Sequence, residues 1–146
     1  MKLKTEEIVS AYKTLSNAKV TKMSLEDKMK VVKSMCVLKP FSDDFEQYLS
    51  TINEKLKDDK YEEMTEKSKT IDSGNKDNLS LEEQQEVSEY FAKYNKDIAL
   101  CINEELSKEV EVDVQTISYD ALCNLVESND FTCSQISVLL ATIVSK

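Results

Sequence analysis

The stretch that most invites chemistry runs from Asp72 to Glu83, first and twelfth positions of a loop between two helical patterns. An EF-hand places its first and its bidentate calcium ligands at those two positions. The third position is Gly74, the fifth is Lys76, and the sixth, where the motif needs glycine for its sharp turn, is Asp77. An ammonium inside a calcium cage opposes the ion, so no metal is expected. A second pattern is the recurrence of Glu54, Asp58, Glu62 and Glu66 every four residues. On one helix these carboxylates would stand in a row about 6 Å apart, an arrangement that could imitate phosphates. Residues 54–69 also hold Lys55, Lys57, Lys60, Lys67 and Lys69, which leaves a local charge of −1. A solvated, self-neutralising helix face is therefore expected, with a phosphate-like acidic face as the alternative. Acidic neighbours such as Asp43-Asp44, Glu62-Glu63 and Glu104-Glu105 diverge by about 100° on a helix and do not converge on one site.

Absent residue types narrow the chemistry further. The chain has no His, Trp or Arg, all 19 of its cations being Lys. Imidazole-based triads, His-ligated metals and bidentate guanidinium clamps are excluded within the chain. One Gly in 146 residues rules out both glycine-rich phosphate loops, G-x-x-x-x-G-K-[ST] and G-x-G-x-x-G. The cysteines, Cys36, Cys101, Cys123 and Cys133, form no C-x-x-C pair and lie in apolar helical patterns, so they are expected as buried small hydrophobes. No cofactor and no catalysis are expected, an unrecognised carboxylate-based enzyme being the third-ranked reading.

The elements that must position these residues are mainly helical. The first helix is expected after Thr5, burying Ile8, Ala11, Tyr12 and Leu15, with Glu6 and Glu7 at the positive end of its dipole. Ser24 and Asp27 form an acidic capping box before a second helix whose face is Leu25, Met29, Val32 and Cys36. Pro40 is expected to end or kink it, and Phe41, Phe45, Leu49, Ile52 and Leu56 carry a third stripe. A weak helix follows over about 60–69, then a loop near 71–80 that separates two helical halves of one domain. Ser80 with Glu83 caps a long helix bearing Val87, Phe91, Tyr94, Ile98 and Cys101. The aromatic cluster Tyr90, Phe91 and Tyr94 reads as core before it reads as a recognition patch. Residues 109–114 alternate strictly, which predicts a short strand, and 19–23 is its expected mate. Thr132 with Gln135 caps a last helix that has no charge from Thr132 to Ser145. Its apolar residues Ile136, Leu139, Leu140 and Ile143 are the candidate partner-binding surface. That segment is too short to span a bilayer, which needs about 20 residues. The whole reads as a compact bundle of five to seven helices in one domain, 1–146, with at most one two-stranded β pair.

Charge is unevenly spread: +5 over residues 1–40, −9 over 41–90 and −5 over 91–146, giving −9 in all. Lys19, Lys22, Lys28, Lys30 and Lys33 could touch phosphates, but the net negative charge and the lack of Arg argue against nucleic-acid binding. The first fifteen residues are charged and amphipathic without an apolar signal core, so a cytoplasmic setting is expected, with no membrane association. The segments MKLKTEEIVSAYKTL, VTKMSLEDKMKVVKSM, LKP at 38–40, YFAKYNK at 90–96 and EVEVD at 109–113 resemble small acidic helical proteins encoded by phages and prophages of gut bacteria. The resemblance covers most of the chain. It implies a mobile-element origin and a role as a virion component, an assembly factor or an inhibitor of host machinery. Expected partners are another protein or a second copy.

Overall fold

A computed structural model describes residues 1–75 and 78–146. Lys76 and Asp77, the fifth and sixth positions of the calcium-loop comparison, lie outside the described residues. The order is β1 (Lys2–Lys4), α1 (Thr5–Ser16), α2 (Leu25–Lys55), α3 (Tyr61–Thr70), α4 (Leu81–Ser107), β2 (Glu109–Glu111), α5 (Tyr119–Glu127) and α6 (Cys133–Thr142). Among the described residues, six α-helices and one two-stranded antiparallel sheet match the mainly α class expected from the sequence.

The chain folds as two compact units, one from residues 1–47 with 105–146 and one from 48–104. The divisions fall inside α2 and α4, so the 71–80 loop belongs within the second unit rather than separating two halves.

The first unit is built around α1 and α6, which pack on each other. Ile8, Ala11, Leu15, Val31, Leu38, Ala121, Leu122, Leu125, Leu139 and Ile143 are buried in one cluster. Local signals set the helix starts. Glu7 accepts a hydrogen bond from the Lys4 amide at 2.8 Å, and Thr132 and Gln135 make both bonds of their capping box, at 2.9 and 3.2 Å. Thr5, expected just before α1, is its first residue, and both its amide and its hydroxyl donate to the Lys108 carbonyl.

The sheet is where sequence reading goes astray. β2 pairs with β1 at the N-terminus, in the register Lys2↔Glu111, Leu3↔Val110, Lys4↔Glu109. The register sets lysine opposite glutamate at both outward positions and Leu3 opposite Val110 on the inner face. Residues 19–23 form no strand; side chains of residues 128 and 129 take up part of their backbone hydrogen bonding, and the Met23 amide donates to the Val20 carbonyl at 3.1 Å. Asn129 accepts from the Lys19 amide and donates to the Lys19 carbonyl, both at 2.7 Å, and Ser128 accepts from the Lys22 amide at 3.3 Å. A further isolated bridge joins Ile117 to Val144 in parallel.

α2 differs from expectation in two ways. It runs through Pro40, so of the two outcomes expected there, an end or a kink, the end does not occur. Proline removes the hydrogen bond to the carbonyl four residues back, here Cys36, and both positions are exposed, so water can serve that carbonyl. The buried face carries Val31, Ser34, Leu38, Ser42 and Phe45, with the Ser34 hydroxyl donating to the Gln115 carbonyl at 2.8 Å. The expected face, Leu25, Met29, Val32 and Cys36, is exposed.

The second unit joins the end of α2 to α3 and most of α4. Ile52, Met64 and Val87 are buried, and Tyr61, Phe91 and Tyr94 are half-buried around them. The Tyr61 ring meets Phe91 edge-on at 6.2 Å and Tyr94 at 5.3 Å between centroids. After α3 a wide turn over Ile71–Asn75 is possible because Gly74 takes a φ of +83°, a region costly for residues with a Cβ. Ser80 accepts the Glu83 amide at 3.1 Å and starts α4. The Lys67 ammonium of α3 lies 3.2 Å from Glu63 on its own helix and 3.7 Å from Glu83 on α4.

Candidate functional site

The four apolar residues singled out on α6 divide between two roles. Leu139 and Ile143 are buried in the core of the first unit. Ile136, half-buried, and Leu140, exposed, lie along the edge of the same apolar face and border a groove against α5. On a helix, positions 136 and 140 stack one turn apart, while 139 and 143 form the adjacent row. An uninterrupted apolar helix therefore serves the core with one row and offers the other to solvent.

The opposite wall comes from α5: Tyr119, Cys123 and Val126 stand along it, with buried Leu122 as the floor. α5 starts where it does because the Ser118 hydroxyl accepts the Ala121 amide at 3.1 Å, which fixes the orientation of Tyr119 one residue later. The groove measures about 290 Å³, and among the described residues Glu127 is its one charged lining residue. Such a surface offers shape and apolar area, with a tyrosine that combines a flat face and a hydroxyl. Cys123 on its rim is exposed, as are Cys36 and Cys133, while Cys101 is half-buried; the expectation of four buried thiols is corrected. Each exposed cysteine sits on the solvent side of a helix whose other side already fills the core.

The acidic residues lie in the second unit. Glu54, Asp58, Glu62 and Glu66 do meet, around an open cleft of about 730 Å³, but not as a row on one helix. Glu54 belongs to α2 and Glu62 and Glu66 to α3. Asp58 lies between them and ends the helical run: its carboxylate accepts the Lys60 amide at 3.0 Å and its carbonyl the Tyr61 amide at 3.1 Å. The same carboxylate accepts the Tyr90 hydroxyl at 2.6 Å, which holds Asp58 below the ordinary carboxylate range and pushes the Tyr90 phenol up to about 12. Lys57 lies 2.7 Å from Glu54 and also stands over the Tyr61 ring at 4.6 Å, and Lys69 lies 3.3 Å from Glu66. Asp59 completes a set of five carboxylates against two ammonium groups. The cleft is acidic and only partly compensated, and Asp58 is committed to holding the fold.

Among the described residues no group of three or more acidic or thiol side chains is arranged to hold a metal ion. No described helix is long and apolar enough to cross a membrane. Comparison with protein-family models, with curated proteins and with solved structures finds no match for the chain. Sequence reasoning missed the groove because α5 drew no attention, although Tyr119, Leu122, Cys123 and Val126 fall at helical spacing behind a serine cap.

Proposed function

We propose that this protein acts without catalysis, through protein–protein contacts, as a structural or assembly component of a phage-like particle. The observation that carries the reading is the α5–α6 groove, where Tyr119 and Leu140 present apolar surface that the chain's own core does not use. Scattered exposed hydrophobics are ordinary on a protein surface, but apolar side chains gathered around one concavity mark an interaction site. Among the described residues, the carboxylates with clear shifts, Asp58 and Glu111, are both held low, the reverse of a general acid kept protonated near neutral pH. The resemblance to phage-encoded helical proteins supports a particle as the place of action. The test is to sediment particles from producing cells and probe them for the chain, beside a Leu140→Glu variant. Leu140→Glu is expected to leave the melting temperature unchanged and to abolish co-sedimentation. Absence of the native chain from both particles and assembly intermediates would sink the reading.

The acidic cleft favours a second reading, a small inhibitor that occupies a basic surface on a host protein, such as one that binds DNA. Replacing Glu54, Glu62 and Glu66 by Gln would then abolish competition with DNA while circular dichroism stays the same. Unchanged competition would exclude it.

A further inference from the structure

Leu25, Met29, Val32 and Cys36 follow one another at steps of four, three and four, the spacing of a coiled-coil seam. Leu25, Met29 and Val32 keep 76, 47 and 41% of their surface exposed, and Cys36 is exposed with them. At 100° per residue their stripe lies about 160° round α2 from Val31, Ser34, Leu38 and Phe45, which face the core. It is about 16 Å long at 1.5 Å per residue. It ends one turn beyond Cys36, where Lys39 and Asp43 pair with each other. The helix thus has two apolar faces, and the one with coiled-coil spacing is the one in water.

We propose that this stripe is a self-association surface, on which α2 packs antiparallel against α2 of a second copy. The proposal rests on the contact-protein reading above and names one of its partners. In the antiparallel register centred between residues 30 and 31, Leu25 faces Cys36 of the second copy and Met29 faces Val32, so four layers close around one twofold axis. Charges beside the seam choose both the partner and the direction. Glu26 and Lys33 occupy the same flanking position one heptad apart, and the antiparallel arrangement sets Glu26 against Lys33 of the second copy, twice by symmetry. A parallel arrangement would instead set Lys28 against Lys33 of the second copy, twice, with like charges opposed. The twelve residues from Leu25 to Cys36 are therefore complementary to themselves, and only when reversed. Because α2 is already folded against its own core, association does not carry the cost of forming a helix. A seam this short places the contact among small, concentration-dependent interfaces.

Sedimentation equilibrium of the full chain in reducing buffer tests this. The native protein is expected to move from 16.7 kDa toward twice that mass as its concentration rises to several hundred micromolar, roughly the range for a small interface. Met29→Glu should stay monomeric with an unchanged circular dichroism spectrum. Glu26→Lys and Lys33→Glu should each weaken association about five- to tenfold, two exposed pairs turning from attraction to repulsion. The double variant should restore it. A native chain that stays monomeric throughout, or a dimer indifferent to Met29→Glu, would overturn the proposal. A double variant left as weak as the single ones would overturn the antiparallel pairing. A monomer that still co-sediments with particles defeats this inference alone; self-association without particle binding defeats the assembly reading alone.

Discussion

At the scale of single residues, the Tyr90–Asp58 hydrogen bond ties the linker before α3 to α4 and has a pH signature of its own. Tyr90 is raised from 10.0 to about 12, so the stability it contributes is present below its unfolded pKa and is lost as pH rises through 10 towards 12. Asp58 is lowered from 3.8, so its contribution is present above that value and is lost as pH falls. Both shifts describe one bond, which strengthens the second unit between about pH 4 and pH 10. An absorbance titration near 295 nm should show one of the six tyrosines ionising last, and Tyr90→Phe should remove that step. If the Tyr90→Phe titration kept the late step, the bond would not form in solution. No sequence pattern announces this pair. Asp58 and Tyr90 are 32 residues apart, and only the packing of α4 beside the linker brings them together.

Among the elements, α6 and α2 show how far local signals carry. The two bonds of the Thr132–Gln135 box and the Ser80–Glu83 cap are readable because everything they need lies within four residues. Which side of an apolar helix faces the core is a tertiary matter, and α2 has two eligible sides. The side with cleaner spacing reads as core, yet the core accepts Ser34 and Ser42 because their small side chains permit close approach, and the Ser34 hydroxyl finds a carbonyl. On α6, Leu139→Ala should cost about 2–5 kcal/mol, as a buried leucine does, while Leu140→Ala should stay within about 0.5 kcal/mol. Urea unfolding of the two variants checks it, and equal losses would show that the groove side of α6 is packed. Leu139→Asp should prevent folding of the first unit, since it would bury an unpaired charge. Pro40→Ala should raise the urea midpoint by an amount equivalent to about 1–3 kcal/mol, because it restores a helical hydrogen bond at an exposed position. A lowered midpoint would mean that the proline ring itself makes a needed contact.

Across the whole molecule, composition makes the helical class legible: one glycine and one proline leave little means for the many tight turns of a β protein. The pairing of β1 with β2 is not legible, since a three-residue strand is too short to display alternation and its mate is more than a hundred residues away. The two units should also differ in how firmly they hold. The first buries a contiguous set that includes Ile8, Leu38, Leu125 and Leu139, whereas the second encloses Ile52, Met64 and Val87 beneath half-buried rings. Hydrogen exchange should therefore be slowest in α1 and α6 and faster in α3, a ranking that the reverse order of protection would refute. The first unit has a consequence for biosynthesis. Its β1–β2 pair and its α1–α6 packing join two segments far apart in the chain, so α1 leaves the ribosome long before α6 exists to cover it. The second unit is one continuous stretch and can close while translation is still under way. Until residues 105–146 emerge, the nascent chain carries α1 as an incompletely covered amphipathic helix, a ready substrate for chaperones.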